Sequence, residues 1–188
     1  MGLRSVFEKL FEKLGKNLEK SKIPYMVIGG QAVLLHGESR LTNDIDLTLG
    51  IGPDELDKVM NLAEKVGLNI SVKDPEEFVR KTFVLPTEEP SSGIRVDFIF
   101  SITPYEKSAI QRAISKKVGS TTLKFASVED LIIHKIFAGR ARDLEDVKSI
   151  ITKNQKFDKP YIEKWLKEFD ESLSKNFVKV FHSILDQK

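Results

Sequence analysis

Apolar residues recur every three or four positions through the first part of the chain. This spacing predicts an amphipathic helix over Leu3–Lys20, because residues three and four apart share one face of a helix. Pro24 blocks its continuation, and the apolar run Tyr25–Ile28 that follows predicts a short buried strand. That strand ends at Gly29-Gly30, after which Gln31–Leu35 favours a short helix.

Acidic and apolar residues alternate over Asp44–Leu49, which is the pattern of a strand, and Ile94–Phe100, apolar apart from Arg95 and Asp97, predicts another strand. A helix is predicted from Pro53 to Gly67. The segment Thr87–Gly93 has the composition of a loop. Further predicted strands are Leu68–Val72, Thr82–Leu85 and Thr121–Phe125.

From Ser127 onward the pattern is helical, in about four pieces with breaks near Gly139, Asn154–Pro160 and Asp170–Ser174. Strands mixed with helices therefore come first and helices alone come last, an order that predicts an α+β fold with a C-terminal helical portion. We divide the chain accordingly into a core with its N-terminal helix (residues 1–125) and a C-terminal helical portion packed on that core (residues 126–188).

Composition excludes several classes of protein and site. The chain has 188 residues and no cysteine, so a disulfide scaffold, a thiolate metal site and a cysteine nucleophile are excluded. A net charge of +2 is too balanced to indicate nucleic-acid binding by charge alone. No apolar run approaches the roughly 18 residues of a membrane span, and the first residues lack the apolar stretch of a secretory signal. We therefore expect a cytoplasmic protein with no membrane contact.

Three carboxylates are candidates for metal binding. Asp44 and Asp46 lie two positions apart on one predicted strand, so both point to the same face of the sheet, and Asp97 lies on another predicted strand. Their hard oxygens suit Mg²⁺. If the two strands are neighbours, the three acids can converge on two ions about 3.5–4 Å apart, as enzymes that act on phosphorus require. Alternatively, the pair lies on the solvent face of an edge strand and Asp97 forms a salt bridge with an arginine.

The glycine pair Gly29-Gly30 joins a predicted strand to a predicted helix. The first turn of a helix presents unpaired N–H groups and partial positive charge, and without a Cβ a phosphate can approach the backbone closely. The alternative is an ordinary tight turn. Together with Arg40, which can neutralise phosphate charge, and Thr42 in the following loop, the glycines supply the nucleotide-binding half of a phosphoryl-transfer site.

The stretches Ile28–Gly37 and Arg40–Leu47 resemble the signature of the polymerase-β-like nucleotidyltransferase superfamily, and within it the small bacterial and archaeal members related to abortive-infection nucleotidyltransferase toxins. The resemblance implies a mixed sheet flanked by helices. It also implies that Asp44, Asp46 and Asp97 bind two Mg²⁺ ions, with Mn²⁺ as an alternative, and that Gly29 and Gly30 contact the phosphates of an NTP. Many members have Gly-Ser where this chain has Gly29-Gly30, which leaves backbone donors to bind phosphate.

That family transfers a nucleoside monophosphate from an NTP to an acceptor hydroxyl and releases pyrophosphate. The acceptor remains open among RNA, a small molecule and a protein, and an antitoxin is a further expected partner. Two alternatives compete with this activity. One is a non-catalytic nucleotide-binding or toxin–antitoxin interaction module, and the other is a metal-dependent nuclease, which needs clustered acids but gains nothing from the glycine pair.

Lys135 and Asp143 lie on inward faces of predicted helices in the C-terminal portion. A lysine on such an apolar helix must reach solvent or meet negative charge. The resemblance makes Lys135 a phosphate ligand, and the alternative is an ion pair with a carboxylate. Asp143 is expected to favour the start of its helix or to act as a base toward the acceptor hydroxyl. His134 is expected to pair with Asp130, four residues before it.

Overall fold

A mixed seven-stranded sheet is the centre of the structure. The computed structural model describes residues 3–38 and 42–186. Its strands are β1 (Tyr25–Ile28), β2 (Asp44–Leu49), β3 (Asn69–Ile70), β4 (Val84–Glu89), β5 (Ile94–Phe100), β6 (Ile114–Val118) and β7 (Thr121–Phe125). They lie side by side in the order β3-β4-β5-β2-β1-β7-β6. Strands β2 and β5 are parallel neighbours, whereas β1 runs antiparallel to β2 and parallel to β7.

Helices flank this sheet, and within the described residues every element after β7 is a helix. They are α1 (Leu3–Ser21), α2 (Gly29–His36), α3 (Leu56–Val66, preceded by a 3-10 turn at Pro53–Glu55), α4 (Pro75–Thr82), α5 (Pro104–Arg112), α6 (Val128–Ala138), α7 (Ala141–Lys153), α8 (Lys159–Leu173) and α9 (Phe177–Leu185). The predicted α+β fold with a C-terminal helical portion is confirmed, and α6 to α9 are the predicted helical pieces. None of the helices in the described ranges is long and apolar enough to span a membrane.

Alternation along the strands gives the sheet two faces of different character. On β2 the fully buried Ile45 and Leu47 point to one face, and Asp44 and Asp46 point to the other. Helix α1 covers the apolar face, where Phe11 contacts Phe125 with 6.3 Å between the ring centroids. Helix α2 and the helices that follow β7 therefore lie on the side of the acidic face.

The core is continuous from α1 through the sheet to α8 and α9. Helix α6 packs against α2, α7, α8 and α9, which explains why its sequence has almost no polar face. Its ends are defined by local chemistry. Ser127 accepts a hydrogen bond from the Asp130 backbone N–H as the N-cap, and Gly139 ends the helix in the left-handed region at a φ of 66°.

Several predicted elements are wrong in the region between β2 and β7. The predicted loop Thr87–Gly93 is strand up to Glu89, because β4 pairs with β5 and the Thr87 hydroxyl donates to the Val96 carbonyl at 2.7 Å. The predicted strand Thr82–Leu85 begins as the end of α4, which Asp74 caps by accepting from the Glu77 N–H at 2.9 Å.

Three elements escaped the sequence prediction: helix α4, helix α5 and strand β6. Helix α5 opens with a capping box in which Thr103 and Glu106 each bond the other's backbone N–H, and this Thr-Pro-x-Glu signal could have located it. Strand β6 has no comparable signal because three of its five residues are exposed and polar. It forms a hairpin with β7.

Candidate active site

Asp46 and Asp97 face each other across two neighbouring parallel strands. The register of β2 and β5 pairs Asp44 with Arg95 and Asp46 with Asp97. Residues opposite each other in a sheet point to the same face, and neighbouring strands lie about 4.8 Å apart. All three predicted carboxylates therefore lie on one face, although Asp97 comes 51 positions after Asp46 in the chain.

Arg95 already binds one of these carboxylates. Its Nε donates to Asp44 Oδ1 at 2.9 Å, and the arginine side chain is 60% exposed. A salt bridge with an arginine was the alternative role of Asp97. Arg95 instead makes this contact with Asp44, which lies opposite it in the sheet. Within residues 3–38 and 42–186, no three acidic or histidine side chains are already gathered around one metal position, and the contact with Arg95 turns Asp44 towards the guanidinium.

Negative charge at the site is only partly neutralised. Burial raises the pKa of Asp46, and the charges of Asp97 and Asp44 raise it further, against the opposing effect of Lys135. Burial likewise raises the pKa of Asp97, with Arg95 opposing. A half-buried carboxylate cluster of this kind favours a cation, and its hard oxygen ligands are those that Mg²⁺ and Mn²⁺ accept. These residues therefore fit the ions that the resemblance implies.

Of the two glycines at the start of α2, Gly29 packs against Asp46 of the acidic face and Gly30 packs against Thr42. A Cβ on Gly29, which has a φ of 63°, would collide with Asp46 Oδ2, and a Cβ on Gly30 would lie 2.5 Å from Thr42 Oγ1. The small residues therefore let the carboxylate and the hydroxyl pack against the beginning of the helix. The Thr42 hydroxyl crowds the side-chain position of Gly30, where many superfamily members have serine. Arg40 lies outside the described residues.

Gly29→Ala should weaken NTP binding at least tenfold, because the new methyl group must displace the Asp46 carboxylate and a φ above zero costs an L-residue about 1–2 kcal/mol. Binding is measured by titrating the purified variant with NTP. Gly93→Ala is the matched control, since Gly93 has a φ of 70° but no atom within 4 Å of an added Cβ. It should lose only the stability that its positive φ costs and bind NTP normally, and equal loss of binding in both variants would contradict the prediction.

A second charged cluster lies on α6 and α7, next to the acidic face. The Lys135 Nζ donates to Asp143 Oδ1 at 2.7 Å and lies 2.8 Å from Asp146 Oδ2. All three side chains are at least 94% buried, and Lys135 is close enough to Asp46 to lower its pKa. Lys135 thus forms the ion pair with carboxylates that was the alternative to its role as a phosphate ligand. Its charge also acts on Asp46, one of the candidate metal ligands.

Asp143 lies in the first turn of α7, which agrees with the expectation that it favours the start of the helix, and it is also an ion-pair partner. Its second oxygen accepts from Arg140 Nε at 2.5 Å, and the N-cap position of α7 is Arg140, which makes no side-chain cap bond. Burial acts to raise the pKa of Asp143, but the hydrogen bonds and charges of Arg140 and Lys135 outweigh it and hold that pKa below its ordinary value. Asp143 is therefore a fixed carboxylate at neutral pH.

The expected pairing of His134 with Asp130 is wrong. Asp130 accepts from Ser127 Oγ at 2.7 Å and from the Tyr161 hydroxyl at 2.8 Å. His134 Nε2 is buried without a hydrogen-bond partner among the described residues, its ring lies 5.5 Å from that of Tyr105, and burial lowers its pKa to about 4. His134 is thus a neutral core residue.

Sequence reasoning missed two residues of the site: Arg95, which binds Asp44, and Asp146, which lies against Lys135. The signal for Arg95 was its position two residues before Asp97, on the same strand face. For Asp146 it was the three-residue spacing from Asp143, which places both on one face of α7. Neither spacing identifies the partner, because Asp44 and Lys135 lie on other elements.

The structure is similar to solved nucleotidyltransferases at low sequence identity. An antigenic nucleotidyltransferase-like protein from Paracoccidioides brasiliensis is 17% identical with a TM-score of 0.62, over 96% of this chain and 88% of that one. ANT(2″)-Ia in complex with adenylyl-2″-tobramycin is 14% identical with a TM-score of 0.55, over 78% and 88%. Lincomycin-bound LnuA, a lincosamide antibiotic adenylyltransferase, is 17% identical with a TM-score of 0.53, over 78% and 96%. At these identities the likeness establishes a shared fold.

The family evidence comes from the sequence. No curated protein matches the chain. The family described as nucleotidyl transferase AbiEii toxin, type IV TA system, matches residues 16–182, a span that contains the acidic face, the glycine pair and the Lys135 cluster. The chain therefore belongs to the AbiEii nucleotidyl transferase toxins of type IV toxin–antitoxin systems, and its activity is nucleotide transfer to an acceptor.

Proposed function

We propose that this nucleotidyltransferase moves a nucleoside monophosphate from an NTP to an acceptor hydroxyl, with release of pyrophosphate, on the acidic face of β2 and β5. The observation that carries the proposal is the register of Asp46 and Asp97 on neighbouring parallel strands, beside the glycine start of α2. A phosphoryl-transfer site needs oxygen ligands for metal next to backbone donors for phosphate, and the closeness of Asp46 to Gly29 supports this proposal.

The backbone N–H groups of Gly29 and Gly30, the Thr42 hydroxyl and Arg40 bind the triphosphate in this proposal. Asp44, Asp46 and Asp97 would hold Mg²⁺ or Mn²⁺, which would neutralise charge at the reacting phosphate groups. Asp44 must then give up or share its contact with Arg95. The protein's own part is to position the NTP and the acceptor and to fix charges before the reaction begins.

Lys135 contributes positive charge toward the phosphates. Its ammonium group has three N–H donors; one binds Asp143 Oδ1, Asp146 Oδ2 lies 2.8 Å away, and in this proposal another donor meets a phosphate oxygen. Asp143 holds Lys135 in place. A base works best with a pKa near the working pH, and the lowered pKa of Asp143 favours this positioning role over removal of a proton from the acceptor.

The acceptor is RNA, a small molecule or a protein, and we propose the cytoplasm as the compartment because NTP is the substrate. An antitoxin is a further partner that we infer from the type IV toxin–antitoxin context of the family. The division at residue 125 into a core and a C-terminal portion also stays a proposal. Lys135 and Asp143 of the C-terminal portion then complete a site built mainly by the core.

The test is an incubation of the purified protein with each of the four NTPs, labelled at the α-phosphate, together with RNA or cell extract. We expect one fraction to become labelled and pyrophosphate to be released in equal amount, with loss of both on chelation and recovery on adding Mg²⁺ or Mn²⁺. NTP binding without transfer to any acceptor would instead identify a binding module. RNA cleavage without NTP would identify a nuclease.

A further inference from the structure

The C-terminal end of α2 is held by the last turn of α7, more than a hundred residues later in the chain. Asn154 Nδ2 donates to the His36 carbonyl at 2.7 Å. The Lys153 ammonium donates to the Gly37 carbonyl at 2.5 Å. The Glu38 N–H donates to Ser149 Oγ at 3.3 Å. Three consecutive residues at the end of α2 are thus bonded by side chains of one neighbouring helix.

These bonds supply the hydrogen-bond donors that the last carbonyls of a short helix lack. The last carbonyls of a helix have no partner within it, and α2 has only eight residues, so its own hydrogen bonds give it little stability. Asn154 and Lys153 supply two of the missing donors, and the lysine also places positive charge at the negative end of the helix dipole. The two segments are close-packed, because a Cβ on Gly37 would lie 2.6 Å from Ser149 Oγ.

The opposite end of α2 is the candidate nucleotide site. Eight residues span about 12 Å, so the end held by α7 lies two turns from Gly29, which packs against Asp46, and from Gly30, which packs against Thr42. A helix this short moves as one body. A shift at its C-terminal end therefore changes where the N–H groups of the glycine pair point.

We propose that Asn154 and Lys153 are positioning residues for the nucleotide, acting through α2; this rests on the proposed function of the glycine pair. Without their bonds α2 samples other positions, and NTP must select the one in which the N–H groups face its phosphates. The cost falls on binding and not on the chemical step, because the carboxylates of β2 and β5 stay in place. We expect the KM for NTP to rise about fivefold to tenfold and kcat to change less than about twofold.

Asn154→Asp is the main test, since it removes the amide donor with almost no change in shape. Asn61→Asp is the matched control. Asn154 donates both to Ile150 of its own helix and to His36, whereas Asn61 donates, among the described residues, to the Asp57 carbonyl of its own helix alone. Lys153→Met, at an exposed side chain, is a milder second variant in case Asn154→Asp folds poorly. KM, kcat and amide hydrogen exchange at residues 32–37 are measured for each.

The proposal expects faster exchange in α2 and a raised KM for Asn154→Asp and Lys153→Met, with neither change in Asn61→Asp. Unchanged exchange would show that the bonds do not hold α2, and faster exchange with an unchanged KM would show that α2 does not position the nucleotide. Either result overturns the inference while leaving the proposed function intact. A wild-type protein that neither binds nor turns over NTP overturns both.

Discussion

Asp46→Asn should reduce nucleotide transfer by about a hundredfold to a thousandfold while leaving the protein folded. Asp46 lies at the centre of the acidic face, in register with Asp97 on β5, two residues from Asp44 and against Gly29. An amide in its place keeps the shape but removes the charge that would hold a metal, and loss of one preorganised electrostatic contribution typically costs a factor of about a hundred to a thousand. The measurement is pyrophosphate release under saturating NTP.

The same substitution should not destabilise the metal-free protein. Burial and two neighbouring carboxylates raise the pKa of Asp46, which means that the folded state disfavours the ionised form. A neutral amide removes that cost, so the unfolding midpoint at neutral pH, measured with a chelator present, should be unchanged or higher.

Asp57→Asn, at an exposed position on α3, is the control and should leave both activity and stability unchanged. Normal turnover by Asp46→Asn would show that the reaction takes place elsewhere. A collapse of stability would show that Asp46 has a structural role instead.

Lys135→Met should lower the free energy of unfolding by about 3–5 kcal/mol, the usual result of removing one partner from a buried ion pair. The lysine is the buried cation that Asp143 and Asp146 both contact, at 2.7 and 2.8 Å. Arg140 reaches Asp143 from the solvent, with its own side chain 77% exposed, and compensates for only part of the loss. Denaturant unfolding of both proteins, followed by circular dichroism, gives the difference.

The loss of stability in Lys135→Met should depend on pH in a defined direction. The folded state lowers the pKa of Asp143, so this carboxylate contributes stability above its ordinary pKa of about 3.9, and that contribution disappears as the pH falls through the lowered value. Without Lys135 the folded state lowers the pKa of Asp143 less. The difference in stability between wild type and Lys135→Met should therefore be largest near neutral pH and narrow below about pH 4.

Two further variants test the cause. Lys148→Met, at an exposed position of α7, should change stability by less than about 0.5 kcal/mol. Adding Asp143→Asn and Asp146→Asn to Lys135→Met should recover part of the lost stability, because the buried charges are then gone. A loss below about 1 kcal/mol for Lys135→Met would mean that the cluster is not held together by this cation.

Helix α7 contacts two parts of the candidate site, Lys135 on α6 and the C-terminal end of α2. Near its start Asp143 and Asp146 bind Lys135, whose charge reaches Asp46. At its end Lys153 and Asn154 bind the C-terminal end of α2. One helix outside the sheet thus contacts both α6 and α2, the two helices that approach the acidic face.

Local patterns in the sequence were sufficient for the parts of the site that lie close together in the chain. The alternation of Asp44–Leu49 placed two carboxylates on one strand face, because side chains alternate with a period of two wherever a strand forms. The glycine pair between a buried strand and a short helix was likewise evident from residue types alone. The strands around the acidic face, β1, β2 and β5, begin and end at the predicted residues.

Only the tertiary structure decided which of these elements meet. Strand pairing is made by backbone groups that every residue carries, so nothing in Asp97 itself specifies that β5 lies parallel to β2 with Asp46 opposite. The same holds for the contacts of Arg95 with Asp44 and of Asn154 with His36, which join positions 51 and 118 residues apart. The sequence by itself determined the local elements and their chemical groups, and the long-range packing of the sheet and helices determined which groups share a site.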